Sequence, residues 1–186
     1  MRVLDAACAS DIDVNACDDF LMGAAKNLTS SSNCKTEYEA NQELVTIAYN
    51  ALHSYKVVQA STCLQNPQTD TYCFASAVTN VTNPTDAFFY FMPLGSTLPG
   101  GSAPSCGWCT SQTMAIFHAS SANRKQAISD TYESAAQQVN TICGPNFVNS
   151  TLPAESFAIK NLAPPTSRII TTAASAALLI LGSAWL

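Results

Sequence analysis

Cysteine is the residue type in this chain with the greatest capacity for chemistry. The eight cysteines are Cys8, Cys17, Cys34, Cys63, Cys73, Cys106, Cys109 and Cys143. Only two histidines accompany them, whereas structural zinc sites combine closely spaced cysteine and histidine pairs. Cysteines spread through a whole domain are typical of proteins that mature in an oxidising compartment. We therefore expect disulfides at all eight positions and no metal site.

Two predicted helical segments limit which cysteines can pair. A helical pattern of about 24 residues, roughly 36 Å long, lies between Cys34 and Cys63. A disulfide requires Cα atoms within about 7 Å, so these two cysteines should not bond to each other. Cys106 and Cys109 begin one arm of a predicted antiparallel hairpin, and Cys143 ends the other. We expect Cys143 to bond to Cys106 or to Cys109.

Two further pairings are expected because the loops that they would close are short. One joins Cys8 to Cys17, and the other joins Cys63 to Cys73. Eight cysteines allow 105 complete pairings, so the spacing favours these bonds without excluding others.

The segment Cys106-Gly-Trp-Cys109 also has the spacing of a thiol-disulfide redox motif. At a helix N-terminus, the helix dipole lowers the pKa of such a thiol. The motif belongs, however, to a strand-helix-strand context, and the segment before it, 94–104, is a loop rich in proline and glycine. We interpret both cysteines as structural. The redox alternative fails if both sulfurs bond to other helices.

The other candidates for catalysis favour structural roles. Glu37, Glu39 and Glu43 lie where the first turns of a helix are expected, and negative charge is favourable there. His53 and His118 have no nucleophile at a motif spacing, and the P-loop, GxGxxG, HExxH and GxSxG signatures are absent. We predict no catalytic residue and no cofactor, and hence a protein that is not an enzyme.

A group of aromatic residues admits two interpretations. It could form a sugar- or lipid-binding patch, or the core of a small disulfide-linked domain, and the core is the commoner outcome. The group comprises Tyr72, Phe74, Phe88, Phe89, Tyr90, Phe91 and Trp108.

Hydrophobic periodicity predicts two main helices. The first begins at the capping box Thr36-Glu-Tyr-Glu39 and continues beyond Tyr55. The second runs from about Lys125 to Cys143 and has Ile142 on its apolar face. Gly144-Pro145 should end it, with the glycine as a left-handed cap.

Weaker patterns predict further helices. They cover Val14 to Leu28, about Thr69 to Val78, and Ser105 to about Ser121 with Ser105 as the N-cap. The segment 83–93 is predicted to be either helical or extended, and 94–104 to be a loop. The predicted fold class is all-α, a small disulfide-crosslinked helical bundle with long loops.

The C-terminus carries the clearest targeting signal. Residues 169–186 form a hydrophobic tail without a charge, and a polar, proline-containing spacer, 151–168, separates it from the helical domain, 1–150. This layout is that of a GPI-attachment signal, with a membrane helix or a core helix as alternatives. Asn161 is the expected attachment residue.

Three N-glycosylation sequons agree with secretion, but the N-terminus does not. The sequons begin at Asn27, Asn80 and Asn149. A signal peptide needs a basic start and an apolar run, whereas the chain begins Met1-Arg-Val-Leu-Asp5. Because GPI attachment takes place in the lumen of the endoplasmic reticulum, we expect that the sequence lacks its natural front end.

Composition excludes one large class of partner. The 186 residues include 8 Lys and Arg against 13 Asp and Glu, which gives a formal net charge of −5. Nucleic-acid binding depends on basic patches, so we expect no nucleic-acid partner. Charged residues make up 11% of the chain, so the surface must be wetted largely by Ser, Thr, Asn and Gln.

Several stretches in order along residues 3–150 resemble a fungal (ascomycete) family of uncharacterised secreted proteins with a cysteine-rich domain of unknown function. The stretches are Leu4-Asp-Ala-Ala-Cys8, Ala60-Ser-Thr-Cys63, Tyr72-Cys-Phe-Ala75, Pro93-Leu-Gly95, Pro104-Ser-Cys-Gly-Trp-Cys109, Thr131-Tyr-Glu-Ser-Ala-Ala136 and Cys143-Gly-Pro-Asn-Phe-Val-Asn149. The resemblance implies a signal peptide, further sequence upstream and often a GPI-type tail. It implies no reaction.

These observations lead to an expected function and an alternative. The first is a GPI-anchored, glycosylated protein of the fungal cell wall or plasma membrane, with a structural or interaction role and partners at the cell surface. The alternative is an extracellular module that binds a lipid or another hydrophobic ligand. An apolar cavity above about 300 Å³ would favour that alternative, and a filled core would oppose it.

Overall fold

The computed structural model describes residues 2–156, and this part of the chain consists of helices joined by loops. Its elements are α1 Arg2–Ala7, α2 Val14–Leu28, α3 Lys35–Glu39, α4 Glu43–His53, α5 Tyr55–Thr62, α6 Cys73–Thr79, the 3₁₀ segment Pro84–Leu94, α7 Trp108–Ser120 and α8 Ile128–Cys143. Over residues 2–156 the only β-type pairing is an isolated bridge between Gln65 and Tyr72. The prediction of a small all-α fold stabilised by disulfides is confirmed.

The core is centred on α7 and α8, which form the predicted hairpin. Met114 and Phe117 of α7 and Tyr132 and Val139 of α8 are fully buried. Side chains of the 3₁₀ segment, α5 and the loops complete the cluster, among them Val57, Phe89, Met92, Leu98 and Val148. Burial of a large apolar side chain contributes roughly 1.5–3 kcal/mol, so this cluster accounts for much of the stability of the fold.

The apolar stripe of α8 lies where the periodicity predicts it, with one exception. Ile128 and Ala136 are buried, whereas Ile142 is 44% exposed. The helix ends at Gly144, where φ is +103° and ψ is 154°. The positive φ requires glycine, but this ψ is extended, so the predicted left-handed cap is wrong.

The single long helix predicted from Thr36 is also wrong, because the segment forms three helices. Asn41 has a φ of +53°, which ends the helical path between α3 and α4. The side chain of Gln42 then caps α4 by accepting a hydrogen bond from the N–H of Val45 at 3.0 Å. A second interruption, at Ser54, separates α4 from α5.

Two predicted helix starts differ from the structure. Cys34 precedes α3 without a side-chain cap, and Glu39 forms an exposed ion pair with Lys35 at 3.6 Å in place of the capping box. The N-cap of α7 is Gly107 and not Ser105. Instead, Oγ of Ser105 accepts hydrogen bonds from the side chains of Asn80 and Asn83, which lie just before the 3₁₀ segment.

The remaining elements agree with the predictions more closely. α2 has the predicted ends, and Asp13 caps it by accepting hydrogen bonds from the N–H groups of Asn15 and Ala16 at 3.0 Å. The helix predicted over 69–78 corresponds to α6 but begins four residues later than predicted, at Cys73, and the segment 83–93 is helical rather than extended. Only α1 has no counterpart among the predicted elements.

The loop that follows the 3₁₀ segment depends on Gly95. Its φ is +93°, and a Cβ atom at this position would lie 2.9 Å from Nδ2 of Asn50. That nitrogen donates a hydrogen bond to the carbonyl oxygen of Leu94 at 3.0 Å. Glycine is therefore required here for both its conformation and its size. The loop then leads to Ser105, three residues before α7 begins at Trp108.

Candidate functional site

Two disulfides fix the start of α7 to neighbouring helices. Cys106 bonds to Cys143 at the end of α8, and Cys109 bonds to Cys73 at the start of α6, with Cα–Cα distances of 5.3 and 5.4 Å. The prediction that Cys143 bonds to Cys106 or Cys109 is confirmed, and Cys106 is the partner. Because both cysteines of the CxxC segment bond to other helices, the redox alternative fails.

The third disulfide joins Cys8, which follows α1, to Cys63, which follows α5. The predicted bonds from Cys8 to Cys17 and from Cys63 to Cys73 are therefore wrong. Loop length was a poor guide here, because the fold brings together residues that are 55 positions apart. The prediction that Cys34 does not bond to Cys63 holds.

Cys17 and Cys34 are free thiols, which corrects the expectation of disulfides at all eight cysteines. The N–H of Cys34 donates to the carbonyl oxygen of Leu28 at 2.9 Å, which places Cys34 at the end of α2. Cys17 lies eleven residues before Leu28 in the same helix, a distance of about 16 Å. A disulfide requires about 7 Å or less, so these thiols cannot bond to each other in this fold.

A cavity of about 160 Å³ lies beside the disulfide that joins α6 to α7. Its polar side is formed by Asn80, Asp86 and Ser105, and Phe89 contributes to its apolar side. The Asp86 side chain accepts a hydrogen bond from the N–H of Ser105 at 2.8 Å and one from Nδ2 of Asn80 at 3.3 Å. Asp86 is only 8% exposed, so a carboxylate is held inside the wall of this cavity.

Tyr90 forms another part of the cavity wall. Its ring packs edge-on against Phe74 with a centroid distance of 4.8 Å, and its hydroxyl lies 3.5 Å from Oγ1 of Thr113. Burial raises the pKa of Tyr90 to about 12; the hydrogen bond with Thr113 opposes this shift and the charge of Asp86 adds to it. The hydroxyl therefore keeps its proton at any physiological pH.

Asp86 is the residue of this site that sequence reasoning missed. It follows Asn83-Pro84, a pair that marks the start of a helical segment. An acidic residue in a first helical turn is ordinarily explained by the helix dipole. Only the fold shows that the same carboxylate also holds Ser105, 19 positions away.

The three sequon asparagines have different environments. Asn27 and Asn149 are exposed, and their side chains take part in hydrogen bonds as acceptors. Asn80 is half-buried, and its Nδ2 donates to Asp86 at 3.3 Å and to Oγ of Ser105 at 3.4 Å. Since Nδ2 is the atom that carries an N-linked glycan, only at Asn80 is that atom engaged inside the fold.

Both histidines lie among structural groups, and no metal site accompanies them in the described part of the chain. Burial lowers the pKa of His53, and Asp18 opposes this shift while Lys125 adds to it. Nε2 of His118 lies 2.9 Å from the carbonyl oxygen of Thr151. Over residues 2–156, no three His, Cys, Asp or Glu side chains are grouped so that they could hold a metal ion.

The aromatic group divides between core and surface. Tyr72 and Phe89 are buried, whereas Phe88 and Phe91 are 40% and 50% exposed. The other three, Phe74, Tyr90 and Trp108, are half-buried. The core interpretation therefore holds for part of the group only.

An open apolar groove of about 560 Å³ lies between α1 and α6. Val3, Leu4, Phe74 and Val78 line it, together with Arg2. No helix found between residues 2 and 156 has the length and apolar character needed to cross a bilayer. The predicted attachment residue and the hydrophobic tail, Asn161 and 169–186, lie outside the described residues.

Comparison with known proteins gives a family and no activity. Residues 1–152 match the family described as a domain of unknown function, DUF7729. No curated protein matches the chain, and no solved structure matches it.

Proposed function

This chain belongs to the DUF7729 family, and we propose that it is a non-enzymatic glycoprotein of the fungal cell surface with a structural or interaction role. The observation that carries the proposal is the set of three disulfides, which join residues 55, 36 and 37 positions apart. The cytosol keeps thiols reduced, whereas secreted and surface proteins retain such bonds. A protein held together in this way belongs in an oxidising compartment.

The C-terminal sequence supports a GPI anchor as the means of attachment. The uncharged tail, 169–186, follows a polar spacer, and this order is that of a GPI signal. Attachment at Asn161 would leave the helical domain outside the plasma membrane, where it can meet partners in the membrane or cell wall. The exposed sequons at Asn27 and Asn149 agree with passage through the secretory pathway.

Treatment of membranes with phosphatidylinositol-specific phospholipase C tests this proposal. We expect the enzyme to release the protein from membranes of the producing fungus into the supernatant. As a matched control, a chain without residues 169–186 should reach the medium without enzyme treatment. Retention of the full chain on membranes after complete cleavage of a known GPI-anchored marker would contradict the anchor.

The groove between α1 and α6 favours one alternative, an extracellular module for a hydrophobic ligand. Its volume, about 560 Å³, lies within the range of small-molecule sites, and Val78 is 51% exposed. The groove is open to solvent, however, and the core itself is filled by buried side chains. If the alternative is correct, a fluorescent fatty acid should bind, and Val78→Glu should abolish binding while Val81→Glu should not.

A further inference from the structure

The cavity beside the disulfide between α6 and α7 has the dimensions of a small-ligand site. Its volume is about 160 Å³, and an apolar cavity of about 150 Å³ is known to hold benzene. One six-membered ring therefore fits. Phe89 and Ala77 offer apolar contact, and both are almost fully buried, so the inner surface is part of the packed domain.

The cavity also contains a carboxylate with unused hydrogen-bonding capacity. Asp86 accepts one hydrogen bond from Ser105 and a longer one from Asn80, whereas a carboxylate can accept about four. The ion pairs found over residues 2–156 are Lys35–Glu39 and Lys56–Asp18, and neither includes Asp86. The negative charge of Asp86 thus has no side-chain cation beside it in the described part of the chain.

Two hydroxyl groups add further capacity at the same wall. Oγ of Ser105 accepts hydrogen bonds from Asn80 and Asn83 at 3.4 and 3.2 Å, and no acceptor for its own proton is found among residues 2–156. Among residues 2–156, the only hydrogen-bond contact of the Tyr90 hydroxyl is the one with Oγ1 of Thr113, at 3.5 Å. Polar groups that converge on a small, partly apolar cavity are the usual features of a ligand site.

The disulfides hold this arrangement in place. Cys109 bonds to α6 and Cys106 bonds to α8, so the segment that carries Ser105 is fixed at the start of α7. A site that is held in its binding conformation loses little conformational entropy when a ligand enters. The cavity is therefore preorganised.

We propose that this cavity binds a small organic ammonium ion, with an apolar body about the size of one six-membered ring and a primary ammonium group directed at Asp86. The apolar body of any ligand would displace water from the carboxylate, and that loss is costly unless the ligand supplies compensating charge. An ammonium group supplies the charge together with hydrogen-bond donors. An anionic ligand of the same shape is excluded by repulsion. This inference does not depend on where the protein is located.

Three ring compounds that differ in one substituent test the proposal. Cyclohexylamine, which is protonated at pH 7, cyclohexanol and cyclohexanecarboxylate are titrated calorimetrically into the full-length oxidised protein, with titrations into the solvent alone subtracted. We expect the amine to bind about tenfold more tightly than the alcohol, because hydrogen bonds to charged groups are the stronger ones. We expect no binding of the carboxylate.

Substitutions within and outside the cavity connect the binding to Asp86. Asp86→Asn keeps an oxygen that can accept the N–H of Ser105 but removes the charge, so amine binding should weaken to the level of the alcohol. Asp130→Asn, at an exposed position of α8, should leave binding unchanged. Ala77→Leu should fill the cavity and abolish binding of both compounds, and it provides a second test if Asp86→Asn fails to fold.

Three results would overturn the proposal. The first is the absence of amine binding at concentrations up to about 10 mM, where even a weak complex with a Kd near 1 mM would be saturated. The second is equal binding of the amine and the alcohol by the unmodified protein. The third is amine binding that survives Ala77→Leu, or amine binding that keeps its full affinity in a correctly folded Asp86→Asn variant.

Discussion

The side chain of Asn80 is both the acceptor of a glycosylation sequon and a hydrogen-bond donor inside the fold, and these two uses conflict. It begins a glycosylation sequon, yet its Nδ2 donates to Asp86 and Ser105 while its Oδ1 accepts the N–H groups of Thr82 and Asn83. These hydrogen bonds tie the end of α6 to the 3₁₀ segment and to the start of α7. A glycan on Nδ2 would replace one of its two protons and place a sugar at the cavity.

We therefore predict that folded protein carries glycans at Asn27 and Asn149 but not at Asn80. The full chain, directed into a eukaryotic secretory pathway by a cleavable leader, is analysed by peptide mass spectrometry before and after removal of N-glycans. Asn27→Gln and Asn149→Gln should each lower the mass by one glycan, and Asn80→Gln should leave the glycan mass unchanged. Full occupancy of Asn80 in secreted, folded protein would contradict this prediction.

Because Tyr90 is buried, the free energy of unfolding should decrease at alkaline pH. Burial raises its pKa from 10.0 to about 12, so the folded state retains the phenolic proton more tightly than the unfolded state does. The stability associated with this proton is fully present below pH 10 and is lost as pH rises toward 12. Since one pKa unit corresponds to about 1.4 kcal/mol, the loss amounts to at most about 3 kcal/mol.

The free energy of unfolding, measured by denaturant titration at pH 8, 10 and 11, tests this pH dependence. Tyr90→Phe removes the contribution of Tyr90, so the free energy of unfolding of this variant should decline less steeply above pH 10. The contribution of Tyr132, whose pKa is also raised by burial, remains in both proteins. Phe91→Leu, which changes a half-exposed side chain of the same 3₁₀ segment without removing a titrating group, serves as the matched control and should decline like the unmodified protein. An unaltered slope in Tyr90→Phe would show that Tyr90 does not control the alkaline transition.

The sequence predicts one cysteine pairing but gives no signal for the role of Asp86. The pairing of Cys143 with one of two candidates could be predicted, because a short link between two periodic helices determines which ends meet. Asp86 could not be found, because its partner Ser105 lies 19 positions away on a loop without periodicity. The free thiol of Cys17 is a similar case, since its state depends on which other cysteines the fold brings near.

At the level of elements, the hairpin of α7 and α8 depends on the bond between Cys106 and Cys143. The bond closes a loop with a sequence separation of 37 residues, for which the loss of unfolded-state entropy corresponds to about 4 kcal/mol. We predict that the double variant Cys106→Ser, Cys143→Ser loses about this much free energy of unfolding in denaturant titrations.

The two free thiols provide the control for that prediction. The double variant Cys17→Ser, Cys34→Ser also replaces two cysteines but removes no disulfide. It should change the free energy of unfolding by about 0.5 kcal/mol or less. Equal losses in the two double variants would contradict the role given to the disulfide.

Asn41 determines where α3 ends. Its φ of +53° is tolerated by asparagine and glycine but costs a β-branched residue about 1–2 kcal/mol. We predict that Asn41→Gly keeps the stability of the domain, whereas Asn41→Val lowers the melting temperature by several degrees. Val and Gly variants of equal stability would instead favour the continuous helix that the sequence predicts.

Element boundaries could be predicted, even from a weak pattern, where no interruption falls inside the helix. α2 has the ends predicted from sequence, and Asp13 supplies its N-cap. The segment from Thr36 to Thr62 was mispredicted because its apolar stripe continues across two interruptions. Those interruptions arise at Asn41, from a left-handed backbone conformation, and at Ser54, which is almost fully buried. Neither interruption changes the periodic pattern of apolar side chains, so that pattern predicts one continuous helix.

At the level of the whole molecule, the fold class followed from periodicity and cysteine content, whereas the disulfide pattern did not. Cys8 and Cys63 meet only because α1 and α5 end at the same place. The proposed surface location depends on this covalent framework more than on any single residue. Three disulfides crosslink segments of the domain from Cys8 to Cys143, and such a framework is typical of proteins that mature in an oxidising environment.

The crosslinked fold and the proposed cell-surface location are both tested by the thiol state of the protein as its own cells produce it. Cells are lysed in denaturant with an alkylating reagent and no reductant, and the protein is digested and mapped by mass spectrometry. We expect alkylated Cys17 and Cys34, together with linked peptides for the three disulfides Cys8–Cys63, Cys73–Cys109 and Cys106–Cys143. Alkylation of all eight cysteines would contradict both the crosslinked fold and the cell-surface proposal.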